Sequence, residues 1–147
     1  MSTLVMSRGI VDQPSQWLNI GYVFITLGLF FVHPFIGVLA LFSLLWKIIV
    51  LRFWTWIYTN DSIVERKGVF SVSTEEIQYF RIKDVELYEP FLYRLVGLSK
   101  IYLYTSDRTR PTIVLNGVYE GPMKRDMFKK FALSHRRKEG VREVDFR

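Results

Sequence analysis

The chain has 147 residues, half of them hydrophobic, and twenty Lys and Arg against fourteen Asp and Glu give a formal charge of +6. It has no cysteine, which excludes a disulfide framework and any Cys-ligated zinc or iron–sulfur site. The apolar content excludes a disordered chain. Length predicts one domain with an appendage, and charge shows where the appendage lies, because residues 13–46 contain no Lys, Arg, Asp or Glu.

In chain order, a short tail over 1–13 comes first. From Trp17 to Ile57 the chain is then almost continuously apolar. As a single helix this run would extend ~60 Å at 1.5 Å per residue, twice the ~30 Å hydrocarbon core of a bilayer. The break falls at His33-Pro34, because proline disrupts a helix interior but suits its first position. The pattern predicts a transmembrane helical hairpin over 14–58, with helices at about 14–32 and 34–58, each near the ~20 residues that span a bilayer.

Lys47 and Arg52 lie toward the far end of the second helix, where long basic side chains snorkel to headgroups. Trp17, Trp46, Trp54, Trp56 and Tyr58 fall at the same level, as an aromatic belt. Together these are the expected membrane-interface anchors. An intramembrane ion site at Lys47 is the rival reading, but neither helix offers it an acidic partner. Arg8, Lys47, Arg52, Arg66 and Lys67 flank the helix ends, and the turn has no basic residue. The positive-inside rule then predicts a multi-pass protein of the cytoplasmic (inner) membrane with both termini cytosolic. A cleaved signal peptide over 1–32 fits poorly: the apolar run is long and no A-x-A site follows.

Beyond the hairpin, short runs rich in β formers alternate with turn residues. Ser62–Lys67 and Val69–Thr74 about Gly68, Ile77–Ile82, Asp84–Glu89, Lys100–Thr105 and Thr112–Leu115 predict an antiparallel sheet or small barrel. Asn116-Gly117 reads as the end of the last strand. Phe91, Leu92, Leu95 and Val96 within Pro90–Leu98 have helical spacing. A soluble helix is predicted from Pro122 to near Lys138, with Met123, Met127, Phe128 and Phe131 on its apolar face.

The stretch Thr59–Leu115 resembles the bacterial pleckstrin-homology-like membrane proteins of the YdbS type. The resemblance is carried by Gly68 after the first strand, Arg81-Ile82-Lys83-Asp84-Val85, Pro90-Phe91-Leu92-Tyr93-Arg94-Leu95-Val96-Gly97, and Ile101-Tyr102-Leu103-Tyr104-Thr105. Gln78 stands where the family usually has Pro, and Ser99 where a second Gly is common; both are local departures. The resemblance implies an α+β membrane protein: the hairpin followed by a cytosolic PH-like domain over 59–140, a seven-stranded, partly open antiparallel barrel capped by the C-terminal helix. A basic tail over 141–147 completes the chain. No enzymatic activity is implied.

The residues agree that little here could carry catalysis. His33 and His135 are far apart, no metal-ligand spacing occurs, and Asp84, Glu86 and Glu89 read as charges on an exposed strand face. No metal and no cofactor are expected, and the protein is not expected to be an enzyme. Positive charge concentrates late: residues 124–147 have nine basic and four acidic side chains (+5), and residues 59–123 have eight and nine (−1). Lys124, Arg125, Lys129, Lys130, Arg136, Arg137 and Lys138 are therefore candidates for contact with anionic membrane lipids. Nucleic acid ranks lower, since no nucleic-acid motif accompanies the charge. Phe91, Leu92, Tyr93 and Leu95 either meet a partner or the membrane, or plug one end of the barrel. An exposed sheet edge could add a partner strand. The expected role is a membrane-anchored, non-enzymatic adaptor or scaffold that binds a protein partner or self-associates. The alternative is an accessory subunit of a transport, channel or secretion complex, its hairpin packing on other helices through Gly21, Thr26 and Gly28.

Overall fold

The computed structural model describes residues 9–140. Residues 1–8 and the basic tail over 141–147 lie outside the described residues. The chain opens with a strand, β1 (Ile10–Asp12), followed by a 3-10 turn (Gln16–Asn19) and helices α1 (Ile20–Val32) and α2 (Pro34–Arg52). Strands β2 (Thr55–Tyr58), β3 (Ser62–Lys67) and β4 (Ser73–Gln78) come next, then a 3-10 turn (Tyr79–Arg81) and β5 (Ile82–Tyr88). A short helix α3 (Phe91–Leu95), strands β6 (Leu98–Thr105) and β7 (Thr112–Tyr119), and helix α4 (Gly121–Lys138) finish the fold.

The two helices of the hairpin form as the proline rule predicts. His33 is extended (φ −155°) and Pro34 opens α2. The start of the first helix is corrected: Ser15 Oγ accepts from Trp17 N–H, a 3-10 turn follows, and regular helix begins only at Ile20. The second helix stops at Arg52, six residues before the predicted end. Thr55-Trp56-Ile57-Tyr58 is an unbroken set of β-branched and aromatic residues, which favours strand, and its side chains are alternately half-buried and buried. In a continuous apolar run, hydrophobicity does not separate helix from strand; residue type does so here.

The strand β1 overturns the reading of residues 1–13 as a tail. It pairs antiparallel with β2, Ile10 opposite Tyr58 and Asp12 opposite Trp56. The hairpin is thus an insertion between two hydrogen-bonded strands of the β domain, which begins before the hairpin rather than at residue 59. The two arms are matched in length. α2 has 19 residues, or ~28 Å at 1.5 Å per residue. The 3-10 turn and the 13 residues of α1 also come to ~28 Å, at 2.0 and 1.5 Å per residue. α2 is long and apolar enough to cross a membrane, and Gln16–Val32 is a shorter apolar helix. Almost all the large apolar side chains of both arms are exposed; Leu44 is the buried exception. The arms touch closely at Gly37, where an added Cβ would lie 2.6 Å from Phe30 Cα. Gly21 and Gly28, the small positions expected to face other transmembrane helices, have nothing within 4 Å of an added Cβ.

The β domain has a four-stranded sheet, β1-β2-β3-β4, and a three-stranded sheet, β5-β6-β7, with antiparallel pairing throughout. The predicted strand at Val69–Thr74 begins only at Ser73, because Gly68 (φ +129°) turns the chain so that Ser71 O fills the space a side chain would need. β7 does not stop at Asn116-Gly117. Gly117 (φ +71°) is the extra residue of a bulge, where Ser99 pairs with Val118 but Lys100 with Asn116. The absent side chain lets Leu18, before α1, press within 2.8 Å of where its Cβ would be.

One core unites both sheets and α4, built around Trp56, Tyr58, Tyr79, Ile101, Leu115 and Phe128. On α4, Phe128 and Ala132 are buried and Met127 and Phe131 half-buried, as predicted, but Met123 is 61% exposed and stands off the sheet. Burial pushes the phenols of Tyr58 and Tyr79 well above their ordinary value, and the neighbouring carboxylates Asp12 and Asp61 add to the effect. A raised folded-state value means that this contribution is intact below the unfolded value of about 10 and is lost as pH rises above it. Alkaline titration should therefore show these two tyrosines ionising only together with loss of β structure by circular dichroism. Ionisation of all eight tyrosines while the sheets persist would contradict this burial.

Candidate functional site

The surface with the most unusual chemistry is the junction between hairpin and β domain. Of the seven residues expected to anchor the membrane interface, Trp17 lies in the 3-10 turn before α1, and Trp46, Lys47 and Arg52 lie in the last turns of α2. Lys47 Nζ lies 5.3 Å from the centroid of the Tyr22 ring on α1, a cation–π arrangement. Phe70, in the turn between β3 and β4, stacks on Trp46 with centroids 5.8 Å apart and planes at 25°. The other three predicted anchors are corrected. Trp54 Nε1 donates to Glu65 Oε1 (2.9 Å), Trp56 is fully buried, and the Tyr58 hydroxyl donates to Asp12 Oδ2 (3.0 Å). They belong to the core because the chain has left the helix by Thr55.

The segment Phe91–Leu95 does not plug the β domain. Only Tyr93 turns inward, its hydroxyl donating to Asn116 Oδ1 (3.2 Å) and its ring lying 5.1 Å from Lys100 Nζ. Phe91, Leu92 and Leu95 are 72%, 71% and 67% exposed. Between α3 and the first turns of α1 is a cleft of about 520 Å³, reaching from Trp17 to Phe24 on one side and from Leu92 to Leu98 on the other. No charged residue lines it.

Two ionic clusters tie distant segments together. Lys124 on α4 donates to Asp12 Oδ2 on β1 (2.5 Å), fastening the strand before the hairpin to the last helix. Arg110 pairs with both Glu65 and Glu75, clamping the β6–β7 loop to β3 and β4. Sequence reasoning missed both. Asp12 and Lys124 are 112 positions apart, and no local pattern links them. Glu65 had a readable cue, since it shares a strand face with the buried Ile63. Asp107 is held below the usual carboxylate range, first by hydrogen bonds from Thr109 and also by Arg81. Among the described residues no group of three or more His, Asp or Glu could hold a metal ion.

The bacterial PH domain family matches residues 5–123. The chain belongs to this family. The match runs from before β1 to the first turn of α4, so the helical hairpin lies within the matched span rather than ahead of it. Among solved structures, a DUF1696 family protein with a pleckstrin-homology domain from Shewanella loihica PV-4 is similar, at 15% identity, over 54% of this chain and 70% of that one, with a TM-score of 0.44. No curated protein sequence matches.

In this bacterial PH domain the predicted lipid-contact residues divide by helical face. Lys124 is four positions before Phe128 and Arg136 four after Ala132, so both lie on the inward side of α4. Lys124 is only 12% exposed in its pair with Asp12, and Arg136 donates to the Ile82 carbonyl oxygen. Arg125 pairs with its neighbour Asp126 (2.7 Å). Lys129, Lys130, Arg137 and Lys138 are exposed. His135 Nε2 lies 3.0 Å from Asp61 Oδ1, with its ring against Tyr79. Glu86 accepts from the Tyr104 hydroxyl (2.8 Å), and Asp84 bonds the backbone N–H of Val85. Among the described residues, the sheet edges, which the sequence left unplaced, are β1 and β4 in one sheet and β5 and β7 in the other.

Proposed function

We propose that the protein is a non-enzymatic adaptor held in the cytoplasmic membrane by its helical hairpin, presenting its PH-like domain to a protein partner or a second copy. The observation that carries this is the insertion of an exposed apolar hairpin between β1 and β2. Because those strands are hydrogen-bonded neighbours, both ends of the hairpin leave the same side of the domain. If α2 crosses a bilayer, α1 must bring the chain back, and the matched ~28 Å arms suit the ~30 Å hydrocarbon core. The basic residues near the helix ends favour the cytoplasmic side.

A domain already anchored has no need of strong lipid specificity to reach the membrane, which favours protein contacts as its work. Edge strand β1 has Ile10 and Val11 exposed and offers a template for strand addition. Lys129, Lys130, Arg137 and Lys138 would add about 1 kcal/mol each where they lie near anionic headgroups. Affinity capture of the detergent-solubilised full chain tests the adaptor role. Recovery of a stoichiometric partner or a homo-oligomer is expected; a clean monomer with nothing bound would overturn it.

The alternative, an accessory subunit of a membrane transport, channel or secretion complex, is favoured by Gly21 and Gly28, whose open surroundings leave α1 room to receive another helix. Exchange of the hairpin for an unrelated one separates the two readings. Retained function rules out the subunit role, and lost function with normal localisation rules out a simple anchor.

A further inference from the structure

We propose that the β domain is itself seated in the leaflet it faces, with α3 embedded beside the start of α1 and the cleft between them holding one phospholipid acyl chain. The inference rests on the hairpin spanning the membrane and extends that reading to the domain below it.

Depth is the first argument. Trp46, on which Phe70 stacks, lies six residues before Arg52, so the stack is ~9 Å up α2 from its end. On the other arm, α3 shares its cleft with Ile20, Gly21 and Phe24, the first two turns of α1. The β domain thus reaches both arms above the points where they join β1 and β2. The part of the leaflet that surrounds these turns therefore also surrounds Phe70 and α3. A domain hanging free in water below the headgroups would have neither contact.

Desolvation is the second. Phe70 is 90% exposed, and Phe91, Leu92 and Leu95 each about 70%. Held in water, this surface costs about 25 cal/mol per Å² relative to burial, and exposed apolar clusters such as Phe91, Leu92 and Leu95 on α3 mark interaction sites. The Tyr93 hydroxyl is satisfied inward by Asn116, and the exposed Arg94 has a stem long enough to snorkel to the headgroups. α3 therefore presents Phe91, Leu92 and Leu95 outward, with one charge to be placed at the interface.

The cleft supplies the third. At about 520 Å³ it falls within the size range of ligand sites, but such sites for polar molecules carry a few convergent polar groups. This one is lined by residues such as Leu18, Ile20, Phe24, Leu92, Leu95 and Leu98, and none of its lining residues is charged. An uncharged, unbranched chain suits it, and lipid is the source of such chains at that depth. Gly21 forms part of the wall, and a Cβ there would meet nothing within 4 Å.

That open position gives the test. Gly21→Leu places a side chain into the cleft from a position where its Cβ presses on no neighbour and improves helix propensity, so it is expected to fold; a matching far-UV circular dichroism melt confirms this before lipid is measured. Native mass spectrometry of the full chain in mild detergent is expected to find one retained phospholipid on the wild type and its loss in Gly21→Leu. No retained lipid on the wild type, or equal lipid on both, overturns the acyl-chain site. Because the chain has no cysteine, Leu92→Cys, Phe42→Cys and Met123→Cys can each carry a single fluorophore in liposomes containing spin-labelled phospholipid. Quenching at positions 92 and 42 but not at 123 is expected. Quenching at 42 alone overturns the seating while leaving the hairpin in place; label 92 would then be in water or covered by a second copy. No quenching at 42 overturns the anchor reading and the seating with it.

Discussion

Replacing Phe128 by alanine is expected to lower the unfolding free energy of the β domain by about 3–5 kcal/mol, the range for truncating a fully buried aromatic residue. Phe128 is wholly inaccessible. Its ring meets Tyr58 of β2 edge-on at 5.2 Å and lies 6.4 Å from Tyr79, which sits in the turn between the two sheets. It is thus the side chain by which α4 closes one core over both sheets. Tyr58 and Tyr79 are each held by a hydrogen bond, to Asp12 and to the Thr59 carbonyl oxygen. They resist moving into the space left behind, so the cavity persists. Met123→Ala on the same helix, at a site 61% exposed, should change stability by no more than about 0.5 kcal/mol. Thermal and denaturant melts in detergent measure both. Equal, small losses at the two positions would contradict the placement of α4.

The second large effect is expected in the hairpin. Gly37→Ala should cost about 1–3 kcal/mol by overpacking, and Gly37→Leu more. A Cβ at that position falls 2.6 Å from both Cα and Cδ2 of Phe30, and the backbone atom cannot swing aside as a side-chain tip does. The arms must part. Gly28→Ala meets no neighbour and should be stabilising by about 0.5–1 kcal/mol, the usual gain of alanine over glycine in a helix interior. Helical circular dichroism during heating, together with protease resistance of the His33 turn, would report the contrast. Similar behaviour of the two variants would mean that the arms do not touch at Gly37.

Much of this fold was legible in the sequence for physical reasons that can be named. A charge-free run of 13–46 can only be apolar surface or core, and proline cannot sit inside a helix, so the hairpin and its turn followed directly. α4 followed from Pro122 and the spacing of Met127, Phe128 and Phe131. What was hidden depends on contacts across the chain. Ile10–Asp12 is too short to show a period, and becomes a strand only because β2 returns beside it after 42 intervening residues. Trp54, Trp56 and Tyr58 look like an interfacial belt by composition; their real role follows from the end of the helix at Arg52. Lys124 and Arg136 share their residue type with the exposed Lys129 and Arg137, and only the angle around α4 tells them apart. In the candidate site, the apolar spacing of α3 was visible, but not whether that face is exposed or plugs the barrel. Its proximity to Trp17 and Phe24 was not, since nothing local records which arm it lies beside.

The central claim is that the hairpin carries the chain through a membrane and back, leaving β1 and the rest of the β domain together on the cytoplasmic side. The most direct measurement is cysteine accessibility in intact cells. His33→Cys at the turn and Met123→Cys on α4 would each be exposed to a membrane-impermeant maleimide, before and after permeabilisation. The expected result is labelling of position 33 in intact cells and of position 123 only after permeabilisation. Labelling of both from the same side, or of position 33 only after permeabilisation, would contradict it.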